Sequence, residues 1–212
     1  MNEYESLTQA VIKGDIQLAV SETRKYVDAG ADVQSILDKG LIAAMDTVGE
    51  NFSTGRIFVP QMLRSAKTMQ ECMNIIKPLF QEGDVTTKGT VVIGTVKGDL
   101  HDIGKNLVSM MLEGAGFAIT DLGVDVPPDK FVQKAQEVGA DVVGMSALLS
   151  ITMPGMPATI EALTASGLKE KVKVIVGGAP VTEKYANEID ADGYAPDAAT
   201  AVVEVKKLLG IS

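Results

Sequence analysis

The chain has 212 residues, 46% of them apolar, with 28 acidic against 19 basic residues and a net charge of −9. Without a basic tract it lacks the clustered Lys and Arg that nucleic-acid phosphates or an anionic membrane surface require, and no apolar run reaches the roughly 20 residues that span a bilayer. The lone Cys72 excludes an internal disulfide and a cysteine-type zinc site, and Met1-Asn2-Glu3-Tyr4-Glu5 lacks the basic start and apolar core of a signal peptide, so a cytoplasmic protein is expected.

Residues 1 to 84 show helical periodicity alone. The spacing predicts a first helix over Glu3 to Ile12, stopping near Gly14. Asp15 suits the N-cap of a second, which runs to Ala29 with Gly30 just beyond. A third begins near Val33 and carries Ile36, Leu37, Leu41, Ala44, Met45 and Val48 on one side. Asn51 to Arg56 is a polar break. A fourth starts near Pro60, a residue that suits a first turn, and ends at Pro78. Met62, Ala66, Met69, Met73 and Ile76 give it a packing seam, and Cys72 on its apolar face reads as a buried structural thiol. Four helices with short links predict an antiparallel bundle. The ten methionines suit adaptable packing.

Gln81 to Lys88 is polar and reads as a linker. The period then changes. Apolar runs at Val91 to Val96, Ala118 to Leu122, Val142 to Met145, Val172 to Val176 and Gly193 to Ala195 alternate with helical segments. Those segments are Ile103 to Gly114, Asp129 to Val138, Pro157 to Ser166, Thr182 to Ile189 and Asp197 to Leu209. Five β-α repeats predict an α/β domain with a doubly wound parallel sheet in the order 2-1-3-4-5, of flavodoxin or Rossmann-like type.

In such a sheet, ligands bind beyond the carboxyl ends of the strands. Three loops leave those ends: Gly98 to Gly104, Ser146 to Thr152, and Gly177-Gly178-Ala179-Pro180. The first holds the only histidine, His101. Its G-x5-G-K-N pattern misses the P-loop in spacing and in the final hydroxyl residue, and G-x-G-x-x-G is absent. A nucleophile elbow is absent too, although His101 with Ser146 or Cys72 would supply a base and a nucleophile. A sole histidine cannot build a protein-only zinc-type site. It can be a satisfied structural residue, or it can give one axial ligand to a metal held by a macrocycle. Asp99, two residues away, is placed to accept the other ring N–H and fix the tautomer.

Asp99-Leu100-His101-Asp102-Ile103-Gly104 resembles the D-x-H-x-x-G motif of cobalamin-binding proteins. Ser146-Ala147-Leu148 and Gly177-Gly178 resemble that family's S-x-L and G-G in order and spacing. The helical half resembles the cap module preceding that domain. Together these imply a helical cap domain over 1–84 and a cobalamin-binding α/β domain over 85–212. The resemblance is to the corrinoid proteins of methyltransferase systems, which include the cobalamin module of methionine synthase and the methanol and methylamine corrinoid proteins.

The resemblance implies that His101 replaces the cofactor's own lower base as the axial ligand of cobalt. Asp99 would orient it, with a proton gained on the pair as cobalt is reduced. Thr152 would complete an Asp–His–hydroxyl relay, with Ser150 as a nearby alternative. Gly98, Asp102, Ile103 and Gly104 belong to the cofactor loop. Ser146 and Leu148 would line the channel for the nucleotide tail, which Gly177 and Gly178 would let approach the backbone; an ordinary strand-to-helix turn is the other reading of those glycines. Phe58 and Met62 would shield the methyl group or else pack between helices, and the linker would let the cap move aside. The implied function is a methyl carrier, loaded by a substrate-specific methyltransferase and unloaded by an acceptor methyltransferase acting on tetrahydrofolate or a thiol, with a reductive activase as a further partner. A corrinoid-dependent sensor module and the cobalamin subunit of a mutase are the alternatives. No sensor output domain is visible, and mutase subunits usually lack the helical cap. The methyl donor is not legible.

Overall fold

The computed structural model describes residues 3–80 and 87–211. Helix α1 (Glu5–Lys13) stops at Gly14, whose φ of +69° turns the chain out of the helix. Helix α2 (Ile16–Asp28) starts at Asp15, whose carboxylate accepts the Leu18 N–H at 3.1 Å. The third helical segment differs from expectation. It runs as α3 (Val33–Ser35), a π-helical stretch Ile36–Ile42, and α4 (Ala43–Ser53). The cause lies at Gly40. A Cβ there would sit 2.9 Å from Leu7 Cδ2, and the Gly40 carbonyl accepts the Thr8 hydroxyl at 3.2 Å. Helix α1 thus packs into the widened turn and supplies a partner for it. Ile36, Leu37, Leu41, Ala44, Met45 and Val48 are all buried, as their spacing requires.

Helix α5 (Val59–Ile76) has Pro60 in its first turn, and the Gln61 side chain accepts the Phe58 N–H at 2.8 Å. It buries Met62, Ala66, Met69, Cys72 and Ile76, then gives way to a 3₁₀ turn at Lys77–Leu79 around Pro78. Burial pushes the Cys72 thiol up, away from the reactive thiolate. Helices α1, α2 and α4 all pack on α5. Most of the expected linker, residues 81–86, lies outside the described residues.

The second half forms β1 (Thr90–Thr95), α6 (Ile103–Gly114), β2 (Ala118–Asp121), α7 (Pro128–Val138), β3 (Val142–Ser146), α8 (Gly155–Ala165), β4 (Lys173–Gly177), α9 (Glu183–Glu188), β5 (Gly193–Ala195) and α10 (Ala198–Leu208). The strands pair in parallel in the order β2-β1-β3-β4-β5. The register Val92↔Val143↔Val174 and Met145↔Val176 sets one buried face, and Val91↔Val142 lies on the other. Right-handed crossovers place α7, α8 and α9 over the first face and α6 and α10 over the second. Both faces are therefore dry, which is why the strands read as continuous apolar runs. Gly94 leaves room for Phe131, whose ring would lie 2.8 Å from a Cβ there. The strand order reverses between β1 and β3, and the His101 loop leaves the sheet at that switch point.

The described residues form two compact units: 3–80 and Thr87 with Gly114–Gly116, and Lys88–Glu113 with 117–211. No described helix is long and apolar enough to cross a membrane.

Candidate cofactor-binding site

Strand β1 ends and the chain turns through Gly98, at φ +82°. This bend drives Asp99 inward, and its side chain is fully buried. A buried carboxylate must be paired, and this one is saturated. Its Oδ1 accepts the His101 main-chain N–H at 3.0 Å and faces His101 Nδ1 at 2.7 Å. Its Oδ2 accepts the Leu148 N–H at 2.8 Å, the Leu149 N–H at 3.3 Å and the Thr152 hydroxyl at 2.7 Å. Burial alone would raise the Asp99 pKa. The Thr152 hydroxyl, the His101 main-chain and ring N–H groups and the Leu148 N–H outweigh it and hold the carboxyl well below the usual range.

An ionised Asp99 has no proton to give, so the 2.7 Å contact places the ring proton on His101 Nδ1. In the neutral ring the lone pair is then on Nε2, which has no hydrogen-bond partner among the described residues. The His101 side chain is 51% exposed. Its main chain is also held, because Thr95 Oγ1 donates to the His101 carbonyl at 3.0 Å. A fixed tautomer, a fixed ring and an outward Nε2 make a preorganised single metal ligand. No group of three or more His, Cys, Asp or Glu among the described residues could hold a metal ion, so any metal must bring its other ligands with it.

The surroundings fit a large, mostly apolar partner. Leu100, Ile103 and Ile151 are 70%, 86% and 85% exposed, and Leu148 and Leu149 are also exposed. Four lie on the two loops that Asp99 ties together, and Ile103 opens α6 directly after the first of them. Such residues in water are unfavourable unless something covers them. A Cβ at Gly104 would meet no protein atom within 4 Å. A corrinoid macrocycle fits this donor set: one nitrogen, an apolar floor and open space beside the ligand.

The structure brings Asp99, His101 and Thr152 together, while Ser150 is exposed. Thr152→Val is therefore expected to cost about 1–2 kcal/mol of stability, and Ser150→Ala less than about 0.5 kcal/mol. Equal losses in urea titrations would contradict that assignment. Leu148 acts through its main chain as well as its exposed side chain. Ser146 ends β3, paired with Thr95 and Gly177. Asp102 Oδ2 accepts the Asn106 side-chain N–H at 3.0 Å at the start of α6.

Gly177 and Gly178 have a reason internal to the protein. A Cβ on Gly178 would lie 1.9 Å from the Ala147 carbonyl oxygen, at φ +128°, and one on Gly177 would lie 2.7 Å from that of Ala195. The strand ends are too close for any side chain. Of the two cap residues, Phe58 is 67% exposed and Met62 is fully buried.

Sequence reasoning missed three supports. Lys105, whose side chain is 1% exposed, pairs with Asp121 and donates to Asn106 Oδ1 at 2.6 Å. Asp121 in turn accepts the Gly123 N–H at 2.8 Å. Asp125 accepts the Gly98 N–H at 2.7 Å. In the sequence Gly104-Lys105-Asn106 shows the lysine only as part of a failed P-loop pattern, because its partner Asp121 is 16 residues away.

The fold and this loop define a doubly wound cofactor-binding protein. The chain belongs to the B12-binding family: the B12 binding domain matches residues 89–203, and a second B12 binding domain matches residues 3–77. It is 46% identical over 208 residues to dimethylamine corrinoid protein 1 of Methanosarcina acetivorans, covering 97% of this chain and 96% of that one. Among solved structures it resembles a cobalamin-binding protein from Desulfitobacterium hafniense, with TM-score 0.80, 31% identity and coverage of 98% and 99% of the two chains. It also resembles a chain of the methanol:cobalamin methyltransferase complex of Methanosarcina barkeri, with TM-score 0.87, 28% identity and coverage of 98% and 79%. Its cofactor is cobalamin or a related corrinoid.

Proposed function

We propose that this chain is a corrinoid-carrying methyl shuttle, loaded by a methylamine-specific methyltransferase and unloaded by a second methyltransferase whose acceptor is a thiol or tetrahydrofolate. The observation that carries the reading is the His101 imidazole, with Nδ1 tied to Asp99 and Nε2 turned outward. Full-length similarity to a dimethylamine corrinoid protein supports the choice of methylamines. The likeness to a chain of a methyltransferase complex supports a partner that acts on the bound cofactor.

When bound, the corrinoid supplies the cobalt centre that carries the methyl group. The chain supplies the rest. His101 Nε2 would hold the cobalt, and Asp99 keeps a proton on Nδ1 and so would raise the donor strength of Nε2. Thr152 and the Leu148 N–H hold Asp99 in its ionised form. Leu100, Ile103 and Leu148 exclude water from the ligand's face, and Gly98, Asp102 and Gly104 shape the loop around it. Ser146, Gly177 and Gly178, at the ends of β3 and β4, would line the path of the nucleotide tail. The division into a helical domain over 1–84 and a cofactor domain over 85–212 is part of this reading.

The test mixes reduced, cobalamin-loaded protein with a dimethylamine, a trimethylamine or a methanol methyltransferase and its substrate, and follows methylation by visible absorption. Methylation in a methylamine reaction is the expected result. Methylation by the methanol enzyme alone, or by none, would overturn the assignment. Demethylation with a thiol or with tetrahydrofolate, each with its own methyltransferase, then identifies the acceptor.

A further inference from the structure

Asp125, in the connection between β2 and α7, holds φ at +53°, a conformation that is unfavourable for most residues with a side chain. Asp and Asn are among the few that accept it, because a short polar side chain can bond locally. Asp125 uses its side chain further away. Oδ1 accepts the Gly98 N–H at 2.7 Å, and its own N–H donates to the Asp99 carbonyl at 2.9 Å. On either side, the Thr95 N–H donates to the Gly123 carbonyl at 2.9 Å and the Val126 N–H donates to the Thr95 carbonyl at 3.0 Å. The segment 123–126 therefore runs along the end of β1, and Asp125 carries that pairing into the His101 loop. Asp99 is held from two directions: its carboxylate by the loop after β3, and its carbonyl by Asp125.

We propose that Asp125 is a positioning residue. It clamps the Gly98–Asp99 dipeptide from both ends, so that Asp99 presents His101 Nε2 to the cofactor at a constant height. Its hydrogen bonds go to Gly98 and to the Asp99 main chain, not to the ring of His101. The backbone cost at residue 125 is repaid by the rigidity of the ligand loop. This inference rests on His101 being the axial ligand.

The test uses uniformly ¹⁵N-labelled protein loaded with unlabelled cob(II)alamin and read by electron paramagnetic resonance. An axial nitrogen from the protein splits the cobalt signal into doublets, whereas the cofactor's own base gives triplets. Three variants accompany the wild type. Asp125→Asn keeps both an acceptor and the tolerance for positive φ. Asp125→Gly keeps the backbone freedom but removes the acceptor, so it folds without strain. His101→Ala removes the ligand. Wild type and Asp125→Asn are expected to show the doublet. In Asp125→Gly the ratio of doublet to other signal should fall about fivefold, the worth of one hydrogen bond of about 1 kcal/mol. An unchanged ratio in Asp125→Gly, or an equal fall in Asp125→Asn, overturns the role of Asp125. A doublet that is missing from wild type, or that survives in His101→Ala, overturns the ligand reading instead.

Discussion

Asp99→Ala is expected to destabilise the cofactor-free protein by about 4 kcal/mol, because it strands several buried donors at once. The Thr152 hydroxyl, the Leu148 N–H and His101 Nδ1 all point at one buried carboxylate. Alanine offers them nothing, and the position of the Asp99 carboxylate and the Thr152 hydroxyl is buried from water. For a chain of this length the loss corresponds to a fall in Tm of about 8–16 °C. Asp99→Asn keeps the volume and one carbonyl oxygen, so it should lose less, about half as much. Thermal melts of the two variants beside wild type decide the matter. A loss below about 1 kcal/mol in Asp99→Ala would mean that the loops after β1 and β3 hold their shape without it. The same variant should bind corrinoid poorly, since the His101 ring would then be free to turn and to change tautomer.

Gly178→Ala is the second large effect. Its Cβ would fall 1.9 Å from the Ala147 carbonyl oxygen, and the φ of +128° is closed to alanine. The atoms it would meet are all Ala147 backbone, which cannot move cheaply. A cost of about 3 kcal/mol or more is expected, read as a lower urea midpoint with an unchanged slope. Gly104→Ala gives the opposite pattern. Its Cβ meets no protein atom, and in the first turn of α6 alanine is a better helix former than glycine. Apo stability should hold or rise, while affinity for cobalamin falls. A Gly104→Ala variant that binds cobalamin as wild type does would show that the cofactor does not use that space.

The sheet was legible because its central strands, β1, β3 and β4, are buried on both faces. Val91, Val92, Ile93, Val142, Val143, Val174 and Ile175 leave no polar alternation to confuse the pattern. Helix ends were legible where glycine or aspartate acts locally, as at Gly14 and Asp15. The π-helical turn at Ile36–Ile42 was not, because its cause is a contact between Gly40 and Leu7, 33 positions apart in the chain. The same limit applies to the site. Asp99 and His101 lie two residues apart and could be paired on the page. Thr152 was distinguishable from Ser150 only through the family pattern, since the choice depends on how the loop after β3 folds back across 53 residues. Asp125 gave no signal beyond an acidic residue before Val126-Pro127, and its role exists only where β2 and β1 lie side by side. The twin glycines were legible as a feature but not in their cause, which is the approach of Ala147 and Ala195.

The central claim is that His101 donates Nε2 to the cobalt of a bound corrinoid. The most direct measurement is the visible absorption spectrum of purified protein saturated with methylcobalamin, compared with that of His101→Ala carrying the same cofactor. Wild type is expected to give a nitrogen-ligated spectrum with the cofactor's own base displaced. In His101→Ala that spectrum should give way to one of cobalt without a lower nitrogen ligand. A nitrogen-ligated spectrum that persists unchanged in His101→Ala, with wild-type affinity, would contradict it.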